Sequence, residues 1–78
     1  MQFDKRAVGS TIRQIRVQKG MSQELLSGLA GIARSHLAMI ETGKKQPNLE
    51  TILKIALALK LRPSELITKI ELSLREKE

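Results

Sequence analysis

Apolar residues recur at helical spacing through nearly the whole chain, and no stretch alternates apolar and polar positions as a half-buried strand does. The first helix is expected from about Lys5 to Lys19. Val8, Ile12 and Ile15 share one face there, and Gly20 follows as a stop. Ser22 is placed to cap a second helix, with Glu24 near its positive end. Leu25 stands where a capping box needs Glu or Gln, so the box is incomplete. Leu26 and Ala30 face inward, and Gly31 ends the helix after about two turns. A third helix is expected from about Ala33 to Thr42, with Leu37 and Ile40 inward and Gly43 as its terminal glycine. Helices this short do not stand alone and must be held by packing. After the loop "GKKQPN", Asn48 caps a fourth helix that carries Leu49, Ile52, Leu53, Ala56 and Leu57. It ends near Leu59–Lys60, where Lys60 is a poor terminal residue beside glycine. Pro63 opens a fifth helix with the stripe Leu66, Ile67, Ile70 and Leu74, and the charges "REKE" close the chain. Five helices joined by short connectors define an all-α domain.

The chain has 78 residues, so its core is small, and domains of this size often lean on a partner or a second copy. Its net charge is +6. The charge is uneven: residues 1–62 hold eleven Lys and Arg against four acids, and residues 63–78 hold three against four. A basic domain with a near-neutral tail favours polyanions and divides the chain into a binding part and a supporting part. No apolar run reaches the ~18 residues of a membrane span, and the N-terminus has no signal-like apolar core, so a cytoplasmic protein is expected. There is no cysteine and one histidine, which excludes disulfides and thiolate zinc sites and leaves no basis for a metal or another cofactor. Phe3 is the only aromatic residue. Modules that grip single strands or RNA loops stack bases on aromatics, so double-stranded DNA is the better partner.

The stretch "MSQELLSGLAGIARSHLAMIETGKKQPNLETILKIALALKLRPSELI" resembles the Cro and phage-repressor type of helix-turn-helix, the Xre family. The matching positions are Ser22-Gln23-Glu24, Leu26, Gly31, Arg34-Ser35, Leu37, Ile40-Glu41, Gly43, Pro47, Leu53 and Ala58-Leu59. Upstream, Ile12, Ile15 and Arg16 fall in register with the family's first helix, so the likeness runs from about Val8 to Ile67. It implies a five-helix domain whose third helix enters a major groove while the second crosses the phosphate backbone.

The resemblance also implies a reading face. Base contacts would come from Ala33, Arg34, Ser35, Ala38 and Met39. Arg34 is the leading candidate, because a guanidinium takes guanine O6 and N7 together. Ala38 and Met39 offer only apolar contact, as with a thymine methyl, and Met39 is equally plausible as filler. Gln23 would touch backbone phosphate and brace a reading residue. His36 would sit near phosphate. Lys44, Lys45, Gln46 and Asn48 would add phosphate contacts, although a lysine pair in a turn is ordinarily just solvated. Arg16 and Glu41 would form a partly buried structural pair. Small regulators of the family, including the controller proteins of restriction–modification systems, end with a helix that supports a dimer. The resemblance therefore implies residues 1–62 as the DNA-binding core, and residues 63–78 as a helix that completes it and supports a homodimer through Leu66, Ile67, Ile70 and Leu74. Two reading helices would then stand ~34 Å apart on a near-palindromic operator.

This chain departs from the family at five positions. Ala33 and Arg62 stand where capping residues are usual. Leu25 and Leu29, neighbours on one helix face, and Gly28 stand where the family carries polar groups. Those leucines are either a protein-binding surface or a patch covered by Phe3 and the N-terminal arm. The leading expectation is a homodimeric DNA-binding transcription regulator with no enzyme activity. The alternatives are an antitoxin-type autorepressor that also holds a protein, and a protein-interaction adaptor that reads no DNA. A basic peripheral membrane protein fits less well, because the basic residues are dispersed.

Overall fold

Local capping chemistry cuts the chain into helices. The structure, a computed structural model, describes residues 2–76, so Met1 and the last two charges of the REKE run lie outside it. The elements are α1 (Lys5–Gln18), α2 (Gln23–Ala30), α3 (Arg34–Glu41), α4 (Leu49–Ala58) and α5 (Pro63–Arg75), with no strand among the described residues. Three N-termini are closed by their own side chains. Asp4 accepts the Arg6 N–H at 2.9 Å, Ser22 the Leu25 N–H at 3.0 Å, and Asn48 the Thr51 N–H at 2.8 Å. At α5 the Glu65 carboxylate reaches back to accept the Arg62 N–H at 2.8 Å, one half of a capping box, while the Arg62 side chain makes no cap bond. Ala33, before α3, likewise gives its helix no side-chain cap, and there no residue of the first turn reaches back. The helical part of α3 is eight residues rather than ten, because Ala33 and Thr42 are its flanking caps.

The C-termini of α1 to α4 share one closure. A residue in left-handed conformation reverses the chain, and the next N–H returns to a carbonyl in the last turn. The pairs are Met21 to Arg16, Ile32 to Ser27, Lys44 to Met39 and Leu61 to Ala56, all between 2.9 and 3.0 Å. The first three closures use glycine. The fourth places Lys60 at φ 61°. A side chain there costs about 1–2 kcal/mol, offset locally by fully buried Leu59 and by Leu61, which packs on the core.

Packing is pairwise: α1 lies on α3 and α5, α2 on α3 and α4, and α4 on α5. Ile12, Leu26, Leu37, Ile40, Ile55, Leu59 and Leu66 are fully buried at the centre. The radius of gyration, 11.4 Å, is what close packing gives for this length. The stripe on α4 differs from the sequence expectation. Ile52 and Ala56 are in the core with Ile55, whereas Leu49, Leu53 and Leu57 are exposed. Apolar residues surround most of this helix, so periodicity alone does not select its buried face; α2 and α5 do. On α5, Leu66, Ile70 and Leu74 are core residues of this same chain and are not at a dimer surface. Of the four expected there, only Ile67 is exposed.

Gly9, in the middle of α1, is the point where α1 and α3 approach most closely. A Cβ at this position would run into the Ile40 carbonyl oxygen and lie 3.0 Å from the Glu41 carbonyl. Ordinarily Gly→Ala inside a helix stabilises by about 1 kcal/mol. Here the backbone of α3 cannot give way as a side chain would, so Gly9→Ala should lose about 1–3 kcal/mol net in urea unfolding. A gain would show that the approach is not a constraint. Lys60→Gly should do the reverse, gaining about 0.5–1 kcal/mol and raising the melting temperature by several degrees.

Candidate nucleic-acid interface

The exposed side of α3 stands on a buried polar junction where three helices meet. Arg16, at the end of α1, gives Nε to one Glu41 carboxylate oxygen at 2.7 Å and Nη2 to the other at 3.0 Å. Its Nη1 donates to the Met21 carbonyl at 2.8 Å. Gln23, at the first turn of α2, donates its amide to Glu41 at 3.0 Å. The Glu41 side chain is 1% exposed and the Arg16 side chain 11%. Donating these hydrogen bonds to Glu41 raises the guanidinium pKa above its ordinary value, against a desolvation that lowers it, so the arginine stays charged at any neutral pH. Glu41 sits at the negative end of α3, where a carboxylate is unfavourable, and Arg16 sits at the C-terminal end of α1, where a cation is favoured. The bidentate pair resolves both conditions and clamps the end of α3.

The other side of α3 is free. Leu37, Ile40 and Glu41 are buried, and the remaining arc exposes Arg34, Ser35 and Met39, with Ala38 and His36 half-buried. Arg34 has no ion pair or side-chain hydrogen bond within the described residues. The first-turn N–H groups of α3 receive no side-chain cap, so they remain open to an anion. The following loop folds back on the helix: the N–H groups of Lys44 and Lys45 both donate to the Met39 carbonyl, at 2.9 and 3.2 Å. Two exposed ammonium groups and exposed Gln46 are thereby held at the C-terminal end of the same helix. Asn48 spends its side-chain oxygen on capping α4, which leaves its amide hydrogens for other partners.

Arg34, Ser35, Met39, Lys44, Lys45 and Gln46 are thus solvent-facing on one helix and its loop, while Gln23 joins the buried junction through one of its N–H groups. Two residues of this region carry no signal in the family pattern. Thr42 is exposed, and its hydroxyl donates to the Ala38 and Met39 carbonyls at 3.1 and 3.2 Å. Gly9 sets how closely α3 lies on α1; the clue in the sequence is a glycine inside a strong helical pattern. Among the described residues no three His, Cys, Asp or Glu side chains gather as a metal site. No helix there is long and apolar enough to cross a membrane.

The family model described as Helix-turn-helix matches residues 12–66. The chain belongs to this helix-turn-helix family. The family, of Cro and Xre type, consists of DNA-binding transcription regulators and not of enzymes. Control protein C.BamHI of Bacillus amyloliquefaciens is 38% identical over 60 residues, covering 76% of this chain and 74% of that one. The HTH-type transcriptional regulator y4dJ of Sinorhizobium fredii is 31% identical over 64 residues, covering 82% and 83%. Among solved structures, the restriction–modification controller protein C.AhdI from Aeromonas hydrophila superposes with a TM-score of 0.77 at 40% identity, covering 80% of this chain and 94% of that one. The wild-type restriction–modification controller protein C.Esp1396I has a TM-score of 0.84 over 95% of each chain; at 22% identity it bears on the fold alone.

In this helix-turn-helix domain the Arg16–Glu41 pair is buried and turned into the protein. Arg16→Ala leaves a buried carboxylate facing only Gln23, and it should cost about 3–5 kcal/mol in chemical denaturation. The double variant Arg16→Ala with Glu41→Ala should cost much less than the sum of the two single changes. A melting temperature equal to that of the unaltered protein would remove the clamp.

Proposed function

We propose that this protein is a transcription regulator that binds a near-palindromic operator as a homodimer, with α3 in the major groove. The observation that carries this reading is the free arc of α3. Its one exposed arginine has no partner among the described residues, and it stands above a helix whose inner side is fully committed to the core. In this reading Arg34 takes a guanine edge, Ser35 takes a base edge or phosphate, and Ala38 and Met39 pack on thymine methyls. Ala33 and His36 flank the phosphates at the open N-terminus of α3. Gln23 offers its second N–H to a phosphate, and Lys44, Lys45, Gln46 and the amide of Asn48 complete the backbone contacts.

Residues 1–62 carry the reading surface, and residues 63–78 serve as its support. The dimer surface belongs to the outward positions of α4 and α5: Leu49, Leu53 and Ile67, exposed on two helices that pack together. A two-fold axis there sets the paired α3 helices about one DNA turn apart, ~34 Å.

Selection of bound duplexes from a random pool should return a consensus with two inverted half-sites. Arg34→Ala should relax the preference at one position per half-site, by about 1–3 kcal/mol, without loss of non-specific binding. Lys45→Ala should weaken all sequences alike and lower the slope of affinity against salt by about one phosphate per protomer. Equal loss from both variants on all sequences would overturn the assignment of Arg34. Sedimentation should show a dimer at micromolar concentration, and Ile67→Glu should shift it toward monomer.

A further inference from the structure

Three shallow grooves meet at one side chain away from α3. Leu29 borders all of them: one with Leu57, Ala58, Lys54 and Lys60, one with Leu25, Gly28 and Glu24, and one with Met21, Leu25 and Lys19. Leu25 is 49% exposed, Leu29 60% and Leu57 66%. Phe3 is itself exposed and borders none of these grooves, so the N-terminal arm does not cover the leucines. The rim is basic. Lys54 is shared with Glu50 at 3.0 Å, but Lys19 and Lys60 have no ion pair within the described residues. Lys60 is also the left-handed residue, at φ 61°, in a position where three sister closures use glycine. A strained backbone retained at a surface position points to a use for the side chain it carries.

We propose that the α2/α4 surface around Leu29 is a docking site for an acidic amphipathic helix of another protein, with Lys60 and Lys19 as its charged anchors. Leucines on two adjacent helices form a groove for the apolar stripe of a helix, and the lysines meet acidic residues on its flanks. A second copy of this chain is the wrong occupant. A two-fold contact sets the same patch against itself, and the three lysines of its lining, Lys19, Lys54 and Lys60, then find one acidic residue of that lining, Glu24, on the facing copy. Duplex DNA supplies the acid but no apolar ridge. The site is independent of the DNA-reading proposal, because it shares no residue with it.

The test uses the full chain and three helix-stapled peptides: one with leucines along one face and glutamates on both flanks, one with lysines replacing the glutamates, and one with serines replacing the leucines. Titration followed by backbone amide NMR should give micromolar binding of the Leu/Glu peptide, with shifts confined to α2, α4 and residues 19–21 and 60. The other two peptides should bind at least about tenfold more weakly. Leu29→Glu should weaken the Leu/Glu peptide by about tenfold or more while leaving operator-selected DNA affinity and the melting temperature unchanged. Lys60→Gly is the control for folding: it should raise the melting temperature and weaken the peptide. Comparable binding of all three peptides, shifts centred on α3, or no binding below millimolar concentration would each overturn the proposal. So would a self-association that Leu29→Glu abolishes, which would assign the patch to a second copy.

Discussion

The fold depends on one buried carboxylate. Glu41 lies at the end of α3, where the helix dipole and the apolar surroundings both oppose a negative charge. It is stable only because Arg16 from α1 and Gln23 from α2 converge on its two oxygens. This makes the junction specific as well as cohesive. A slide of α3 by one residue along its axis breaks three charge-assisted hydrogen bonds together and leaves the carboxylate buried and unpaired. Apolar packing through Leu37 and Ile40 supplies attraction, yet it tolerates small shifts. The ionic junction does not, so it fixes the register of the helix.

A second constraint acts on distance. Gly9 allows the backbones of α1 and α3 to touch, with the Ile40 carbonyl against the glycine. Together the two constraints fix α3 in position along its axis and in depth. Gly43, one residue beyond the α3 C-cap, meets Arg6 one turn further back on α1, so the closure of α3 is held by the same helix. The loop carrying Lys44 and Lys45 leaves from that point, and its cations are therefore placed by α1 as much as by α3.

The helix boundaries were readable from the sequence because chemistry marks them. Ser22, Asn48 and Pro63 open helices, and glycines 20, 31 and 43 close them. The shorter α3 follows from Ala33 and Thr42 acting as caps. The buried side of α4 was not readable, since leucines, isoleucines and alanines occupy nearly every direction around it and only neighbours decide which are covered. The family likeness, not periodicity, pointed to Leu66, Ile67, Ile70 and Leu74 as a dimer surface, and Leu66, Ile70 and Leu74 are buried in this chain's own core. Residue types alone suggested a basic, DNA-directed domain. The proposed reading residues came from the family register, because nothing in periodicity separates Arg34 from any other exposed arginine. Gly9 escaped notice because its meaning lies in a carbonyl thirty-one positions away.

The two sides of α3 answer to different demands. Leu37, Ile40 and Glu41 are spoken for by α1 and α2, whereas Arg34, Ser35 and Met39 make no side-chain hydrogen bond or ion pair with the rest of the described chain. Substitutions on the outer side are therefore nearly neutral for folding, and those on the inner side are not. If that outer side reads DNA as proposed, a lineage carrying this domain can exchange one operator for another through a few outward side chains, with the scaffold indifferent to the change. Divergent regulators can thus accumulate from a single architecture without passing through an unfolded intermediate sequence.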